Sequence, residues 1–523
     1  MAHKKKKRKF NWKTISWMIL LIAAVIFFFM LSGFIVFPKR FKLPLIILLA
    51  AIVLLMALLT FMTRKSKVLV STVNFVLSFF MLVTCVFLPI LESKLRGIFT
   101  DQGTTEEFVM MIYAFTPEYK AAHPDIFNNS TSSQEITDYT DAVFLKQDSI
   151  DQENQEYVVG WLKEKFSKEP NTVTKTDVLD MITAFYNGEG DCIILNEVYE
   201  ELVNELEGFG SFKEDTFVVA EITREVAVEP QKEEPQKEED TSLEPFRILV
   251  AGEDTRSRKL KVYGRTDVDI VMTVNPKTKQ ILVVGFPRDS YIPNPALKNR
   301  PDKLTHLGNN GIQNTVDGLS AVLETQINDY FVVNFKTFQN IIDALGGIDV
   351  DNPYKFRSKA DTERGTPSYT YEEGVIHLNG LQALSYCRER YNLPAGDYGR
   401  SEHQTIVLKS VINKLTSTEM LKNFSAVLDS LQGQFITSYS TDNIYAIVQN
   451  QLDNNTPWNI VSYHLGGRGD MQPTASMGAQ KLYVNWLLQQ QLDFSKAEME
   501  KVMNGEALEQ GVLPEDDETL YRP

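Results

Sequence analysis

The first 91 residues hold thirteen Lys or Arg and not one Asp or Glu, and between their basic stretches lie three long apolar runs, Thr14 to Phe37, Leu43 to Met62 and Val68 to Leu91. A helix needs about 20 apolar residues to cross a bilayer core, so each run is long enough to span. A cleaved signal peptide is the rival reading of the first, since MAHKKKKRKF makes a good basic leader. Signal peptides, however, carry apolar cores of only about 7 to 15 residues followed by a small-residue cleavage site. Here 24 apolar residues run into Pro38 and then into another span, which predicts a retained anchor.

Basic residues beside a span tend to stay in the cytoplasm. Seven precede the first run (Lys4 to Lys7, Arg8, Lys9, Lys13) and three follow the second (Arg64, Lys65, Lys67), against three between the first two (Lys39, Arg40, Lys42). The count predicts a cytoplasmic N-terminus (1–13) and, after three crossings (14–91), an extracytoplasmic remainder. That remainder has 40 basic and 68 acidic residues, a net charge of −28 hidden in the whole-chain value of −15. So acidic a body excludes a broad nucleic-acid-binding face, and a thirteen-residue basic tail is too short to be a folded reader of nucleic acid. Three cysteines, Cys85, Cys192 and Cys387, fit neither a disulfide framework nor a zinc pattern and read as free thiols.

Residues 92–223 read as a small α/β unit. Phe108 to Phe115, Tyr157 to Phe166, Val178 to Tyr186 and Glu197 to Leu206 have helical spacing, and Cys192 to Leu195 is a short buried strand. An acidic, Pro-punctuated stretch at 224–245 (EVAVEPQKEEPQKEEDTSLEP from Glu225) predicts a linker. From Phe246 strands alternate with helices: Arg247 to Ala251, Ile270 to Val274, Ile281 to Phe286, Tyr330 to Asn334 and Ile348 to Val350 are strand-like. Thr315 to Ile327, Phe338 to Leu345, Leu378 to Tyr386 and Asp397 to Leu415 are helical, and Trp458 to Leu465 and Ala479 to Gln490 add later strand and helix signals. The expected fold is a membrane-anchored α/β protein, with a catalytic α/β sandwich around a mixed sheet at 246–510 and a tail at 511–523.

Four motifs in that last unit concentrate Arg and Asp where elements should end. They are AGEDTR (Asp254, Arg256), YGRTDVD (Arg265, Asp267, Asp269), GFPRDSY (Arg288, Asp289) and YCRERYNLPAGDYGRSEHQ (Arg388, Arg390, Asp397, Arg400, Gln404). Arg388 and Arg390 share a face if extended. Asp397, Arg400 and Gln404 share a helix face, and Asp397 suits an N-cap. Converging guanidiniums repel one another unless an anion joins them, and they match phosphate oxygens with a bidentate fork. Asp254 and Asp267 offer the hard oxygens that Mg²⁺ takes, so arginines with a carboxylate-held cation describe a pyrophosphate site. The bland alternative, surface ion pairs, fits any single motif better than it fits four.

GEDTR, GRTDVD, FPRDSYI, DALGGIDV, HLNGLQALSYCRER and DYGRSEHQ stand in the order and spacing of the LytR-CpsA-Psr family, and the resemblance covers about 246 to 416. The three-span anchor and the preceding unit resemble its capsule-type, CpsA-like branch. The resemblance implies an extracytoplasmic, Mg²⁺-dependent phosphotransferase, with Mn²⁺ as a substitute. Such an enzyme moves a glycopolymer (capsular polysaccharide, teichoic acid or another) from a polyprenyl-pyrophosphate carrier to peptidoglycan. It implies Asp254 and Asp267 as metal holders and Arg265, Arg288, Arg388, Arg390, Arg400 and Gln404 as pyrophosphate binders. Arg265, Asp267, Arg288 and Asp397 would be the catalytic set, with Asp267 or Asp397 a candidate base. The chain departs from the family pattern at Thr266, Gly285-Phe286, KLTHLGNNG around His306, and His403, where Arg is frequent.

The carrier's tail requires an apolar tunnel. Ile281 to Val284 and Phe331 to Val333 could line it or be ordinary core. Partners expected are the lipid-linked glycan, peptidoglycan, the membrane and polysaccharide-synthesis enzymes, without nucleic acid. Two other functions fit the same residues: a membrane regulator or scaffold that binds lipid-linked glycan, and a polyprenyl-pyrophosphate hydrolase. No metalloprotease, nucleophile-elbow or Walker pattern is present. Cys387 reads as filler, and Arg468-Gly469-Asp470 as a turn.

Overall fold

The computed structural model describes residues 12–33, 39–62, 67–100, 105–127, 132–148, 151–204, 206, 208–227, 243–253, 262–360, 366–394, 396–417, 435–454, 456–514 and 519–523. Three helices, α1 (Trp12–Gly33), α2 (Lys39–Met62) and α3 (Lys67–Thr100), carry the apolar runs. All three are long and apolar enough to cross a membrane, which makes this a membrane protein. A polar clasp ties them: the fully buried Asn74 amide donates to Ser16 Oγ at 3.1 Å and Thr60 Oγ1 at 3.4 Å.

The next unit is built on β1 (Thr105–Phe115), α4 (Pro117–Ala122), β2 (Val143–Gln147), α5 (Gln152–Phe166), β3 (Asn171–Lys175), α6 (Val178–Tyr186), β4 (Cys192–Asn196), α7 (Glu200–Asn204), α8 (Phe212–Asp215) and β5 (Thr216–Ala227). Its five strands lie in the order β3-β2-β4-β1-β5, with β1 antiparallel to both neighbours. Residues Phe108 to Phe115, expected as a helix, are therefore strand. Tyr113 and Phe115 pack into one core while Met110, Ile112 and Ala114 pack into another on the opposite face. A strand buried on both faces is apolar throughout, and its run imitates helical spacing. β5 continues to Ala227, beyond the expected start of the linker, because Glu225 to Ala227 pair with β1.

The larger part comprises β6 (Phe246–Glu253), β7 (Thr266–Asn275), β8 (Gln280–Phe286), β9 (Tyr291–Asn294), β10 (Arg300–Lys303), α9 (Leu304–Leu307), α10 (Ile312–Leu323), β11 (Asp329–Asn334), α11 (Phe335–Ala344) and β12 (Ile348–Asn352). It continues through β13 (Phe356–Arg357), β14 (Thr370–Tyr371), β15 (Gly374–Leu378), α12 (Gly380–Arg388), α13 (Asp397–Leu415), β16 (Ile436–Thr437), α14 (Thr441–Asn454), β17 (Asn459–His464), β18 (Gly467–Pro473), β19 (Lys481–Leu487) and α15 (Gln489–Asn504). A six-stranded mixed sheet, β16-β11-β6-β7-β8-β17, forms its centre. β11 runs parallel to β6 and β8 to β17, while β7 is antiparallel to both its neighbours. Every residue of β8 is buried, as expected for a strand covered on both faces. α10 and α15 share one core with Leu249, Val271, Leu282 and Val284 of the sheet, and α11, α12 and α13 build the other layer with Ile342, Ala383 and Val407. This is the expected α/β sandwich.

By Cα packing, Gln102–Tyr439 with Pro457–Pro523 form one compact unit, and Ser440–Thr456, which carry α14, group with the anchor.

Several local expectations change. α10 stops at Leu323, where Glu324 turns left-handed (φ 50°). Leu378 ends β15, and Asn379 caps α12 with a reciprocal Gln382 bond. Lys481 to Leu487 is strand, so the helix begins only at Gln489. Arg468 to Asp470 is no turn but the middle of β18, paired with β19. Nor is the C-terminus a free tail: Tyr521 N–H donates to Leu487 O at 2.8 Å, and Leu513 and Tyr521 pack on the main core.

Candidate functional site

The ends of β6, β8 and β11 and the start of β7 meet at one end of the mixed sheet's inner strands, and there a cavity of about 620 Å³ opens. Asp267, Arg288, Arg388, Arg390, Arg400 and Gln404 all line it. These come from three distant stretches of sequence, so the folding itself gathers the predicted charges.

Asp267 reaches the cavity through a bulge. Gly252 pairs with Val268 and Glu253 with Thr266, which leaves Asp267 as the extra residue. Bulges re-aim side chains and favour active sites. A Cβ on Gly252 would lie 3.0 Å from the Val268 side chain, which would have to give by a few tenths of an ångström. Arg288 follows β8 and Pro287, and its Nη1 donates to Asp267 Oδ1 at 2.7 Å. Burial alone would raise the Asp267 carboxyl, but Arg288, Arg400 and Arg265 outweigh it and hold the acid ionised, well below the usual range. Arg265 thus sits within electrostatic reach of Asp267. Asp269, from the same motif, does not line the cavity. It is buried with its Oδ2 bonded by Thr266 Oγ1, and desolvation pushes it up to about 7.

Arg388 ends α12 and stacks over the Phe335 ring at 4.9 Å, while Arg390 lies over Tyr391 at 4.6 Å and donates to its hydroxyl at 2.6 Å. The Arg390 hydrogen bond lowers the Tyr391 phenol, helped by the charges of Arg390, Lys359 and Arg400. Arg400 therefore acts on both Asp267 and Tyr391, joining the two groups into one charged end.

Glu389, Lys359 and Tyr391 line the same cavity and were missed by motif reading. A buried carboxylate between two arginines would be expected to pair with them. Instead Glu389 Oε1 accepts from the backbone N–H of Arg390 (3.0 Å) and Asn392 (2.9 Å), and Oε2 from that of Lys359. Its position gives no signal, since the C-terminal end of a helix leaves carbonyls rather than N–H groups unpaired, and the N–H groups it accepts from belong to the following turn and to Lys359.

α13 places Arg400 and Gln404 on the cavity as its spacing predicts, and Gln404 donates to Cys387 O at 3.3 Å. Asp397 is not the N-cap. Gly396 holds that position, with Asp397 the first helical residue. The Asp397 side chain lies outside the described residues, as do Asp254 and Arg256. His403, where the family often has Arg, cannot serve as a cation. It is buried and stacked on Tyr386 at 4.1 Å, and desolvation lowers it to about 4, so it is neutral at pH 7.

The rest of the wall is apolar, with Val268, Ile270, Phe331, Val333, Phe338 and Ile342 among it. Of the two strands that could line a tunnel, β11 does and β8 does not: Phe331 and Val333 face the cavity while Val332 joins the core, and Leu282 and Val284 are core. Cys387 is a buried free thiol on the wall, its pKa pushed far up by burial, and so is no nucleophile. A buried Ser476–His306–Asp302 trio, with His306 Nδ1 at 2.9 Å from both partners, lies off the cavity wall. It is sealed from any substrate.

Among the described residues no three His, Cys, Asp or Glu side chains gather to hold a metal. A divalent cation here would rest on one or two carboxylates with water and phosphate oxygens, which is how Mg²⁺ is commonly held. The ionised Asp267 carboxylate fits that chemistry.

The chain matches the model of the LytR_cpsA_psr family over residues 216–493. It is 34% identical over 235 residues to the polyisoprenyl-teichoic acid–peptidoglycan teichoic acid transferase TagU of Enterococcus faecalis, covering 45% of this chain and 74% of that one. To the protein of the same name from Bacillus licheniformis it is 31% identical over 227 residues, 43% of this chain and 70% of that one. The crystal structure of B. subtilis TagV superposes with a TM-score of 0.41 at 25% identity, covering 50% of this chain and 98% of that one.

Proposed function

The chain belongs to the LytR_cpsA_psr family, and from that premise we propose that it is a phosphotransferase of cell-envelope assembly, passing a glycopolymer from a polyprenyl-pyrophosphate carrier to peptidoglycan. The observation that carries the reading is one cavity with arginines and an ionised Asp267 at one part of its wall and an apolar lining elsewhere, the shape and charge of a pyrophosphate with a hydrocarbon tail.

An acceptor hydroxyl on peptidoglycan attacks the glycan-side phosphorus. The P–O bond to the carrier's own phosphate breaks, polyprenyl phosphate leaves, and the hydroxyl proton passes to a base. Arg288, Arg388, Arg390 and Arg400, with Arg265 beside Asp267, stabilise charge on the transferring and leaving phosphates from fixed positions, which needs no reorganisation during the reaction. Gln404 adds a polar contact at the same wall. Asp267, with Asp254 as the second carboxylate, would hold Mg²⁺, which lessens the negative charge that the nucleophile must approach. Asp267 is strongly engaged by arginine, which makes it a poor proton acceptor and leaves Asp397 the better candidate for the base.

The three helices keep the chain where the carrier lipid is. The basic count of the sequence supports a cytoplasmic N-terminus and an extracytoplasmic catalytic part.

Purified full-length protein in lipid vesicles, given a polyprenyl-pyrophosphate glycan, peptidoglycan and Mg²⁺, is expected to release polyprenyl phosphate as the glycan becomes bound to the wall polymer. Chelation by EDTA is expected to stop it, and Mg²⁺ or Mn²⁺ to restore it. Release with water as the sole acceptor would replace transfer by hydrolysis, and carrier binding without release would favour a regulator. Full activity in EDTA would remove the metal from the site.

A further inference from the structure

The unit that precedes the catalytic sandwich does not hang from it as a separate module. Its core, formed by residues such as Phe115, Phe185 and Phe212, also takes in Leu297, Ala475, Met477 and Leu482 from the sandwich. At one place this contact touches the site's own loop. The Phe108 ring of β1 packs on Tyr263, centroids 4.4 Å apart and tilted by 52°. Tyr263 lies two residues before Arg265 and four before Asp267. The buried Tyr199, just before α7, lies beside the Asn310 side chain.

Asn310 belongs to the tight Gly308–Asn310 turn, and that turn grips the other side of the same loop. Gly264 N–H donates to Gly308 O at 3.0 Å, and Ile312 N–H to Val262 O at 2.9 Å. The backbones cross so closely that a Cβ on Gly308 would lie 2.2 Å from Gly264 O, so only glycine fits. Val262 to Gly264 are thus held both by Phe108, through Tyr263, and by the backbone bonds of the Gly308–Asn310 turn and Ile312. The next residue is Arg265, and the bulge carrying Asp267 follows.

We propose that the preceding domain is a positioning element of the active site, with Phe108 setting the Arg265–Asp267 segment against Arg288. The proposal rests on the reading of Arg265 and Asp267 as pyrophosphate and metal residues. Phe108 is absent from the cavity wall and acts through the loop. A ligand or partner that strained the preceding domain would thereby reach the phosphate-binding arginines.

The test uses the full chain in vesicles. Phe108→Ala is expected to lower the transfer rate about ten- to a hundredfold, the size of effect a small misplacement of a catalytic group has. Phe108→Tyr is expected to recover it. In the double variant with Arg265→Ala the loss should fall short of the product of the two single losses, because part of the Phe108 effect runs through Arg265. Leu482→Ala, which loosens the shared core away from the loop, is the control for general destabilisation. It should lower the melting temperature and leave the rate at wild type. Wild-type rate in Phe108→Ala, multiplying losses in the double variant, or an equal loss in Leu482→Ala would each overturn the proposal. If the wild-type protein transfers nothing, the enzymatic reading fails on its own, and calorimetric binding of inorganic pyrophosphate decides the positioning role. Weaker binding in Phe108→Ala, with unchanged binding in Leu482→Ala, supports it, and equal binding in all three proteins overturns it.

Discussion

Arg288→Ala is expected to lower glycan transfer by about 10²- to 10³-fold, the range found when one preorganised charge-stabilising donor is removed. Arg288 is the donor that touches Asp267 directly, at 2.7 Å. The substitution takes a guanidinium from the reacting phosphates and also leaves the acid less neutralised. The Asp267 pKa is depressed in the folded protein, so the stability it contributes is present above its unfolded value and is lost as pH falls through the folded one. Without Arg288 the folded value rises toward the unfolded one, so this contribution shrinks at neutral pH and the share of the acid loss of stability that Asp267 carries should be smaller than in wild type. Arg288→Lys, which keeps charge but not the fork, should fall between the two. Transfer rate at fixed Mg²⁺ and unfolding midpoint against pH are the two readouts. Wild-type transfer by Arg288→Ala would detach this cavity from the chemistry.

Filling the cavity should be nearly as damaging, but only toward lipid. Val333 lies on the apolar wall, and Val333→Trp would occupy space the carrier's tail needs. A tail leaving the bilayer exposes apolar surface unless the protein covers it, at about 0.8 kcal/mol per CH₂. About four groups turned out into water would cost roughly 3 kcal/mol, or about a hundredfold in apparent affinity. The loss should be seen with long-chain polyprenyl carriers and be far smaller with a short, water-soluble prenyl pyrophosphate. Equal losses on both would mean that the substitution disturbs the arginines rather than the tail's path.

The motifs make the charged end of this cavity legible because arginines in a buried setting have few other uses, and helical spacing alone puts Arg400 and Gln404 on one face of α13. What escaped was set by pairing and burial rather than by residue type. The bulge that turns Asp267 inward depends on the register of β7 against β6, which no single strand displays. The run of β1 imitates a helix because two cores share it. Phe331 and Val333 could be separated from Val332 only once the sheet had two different faces, one packed and one hollow. Glu389 looked like one more charge among arginines, and its real partners are backbone N–H groups. His403 stands at a position where a cation was expected, and the aromatic rings around it decide that it is neutral.

Glu389 gives its oxygens to the backbone N–H groups of Lys359, Arg390 and Asn392. Among the described wall residues five cationic side chains, Lys359, Arg288, Arg388, Arg390 and Arg400, stand against two carboxylates, Asp267 and Glu389. Outside the anchor the chain as a whole is strongly acidic. A positive opening in a negative body attracts an anionic headgroup there and discourages it elsewhere, and low-dielectric walls focus such a field. Capture of the carrier should therefore be fast at low salt and slow steeply as ionic strength rises, so the encounter rate, and not only the chemistry, becomes a property of how this cavity is charged.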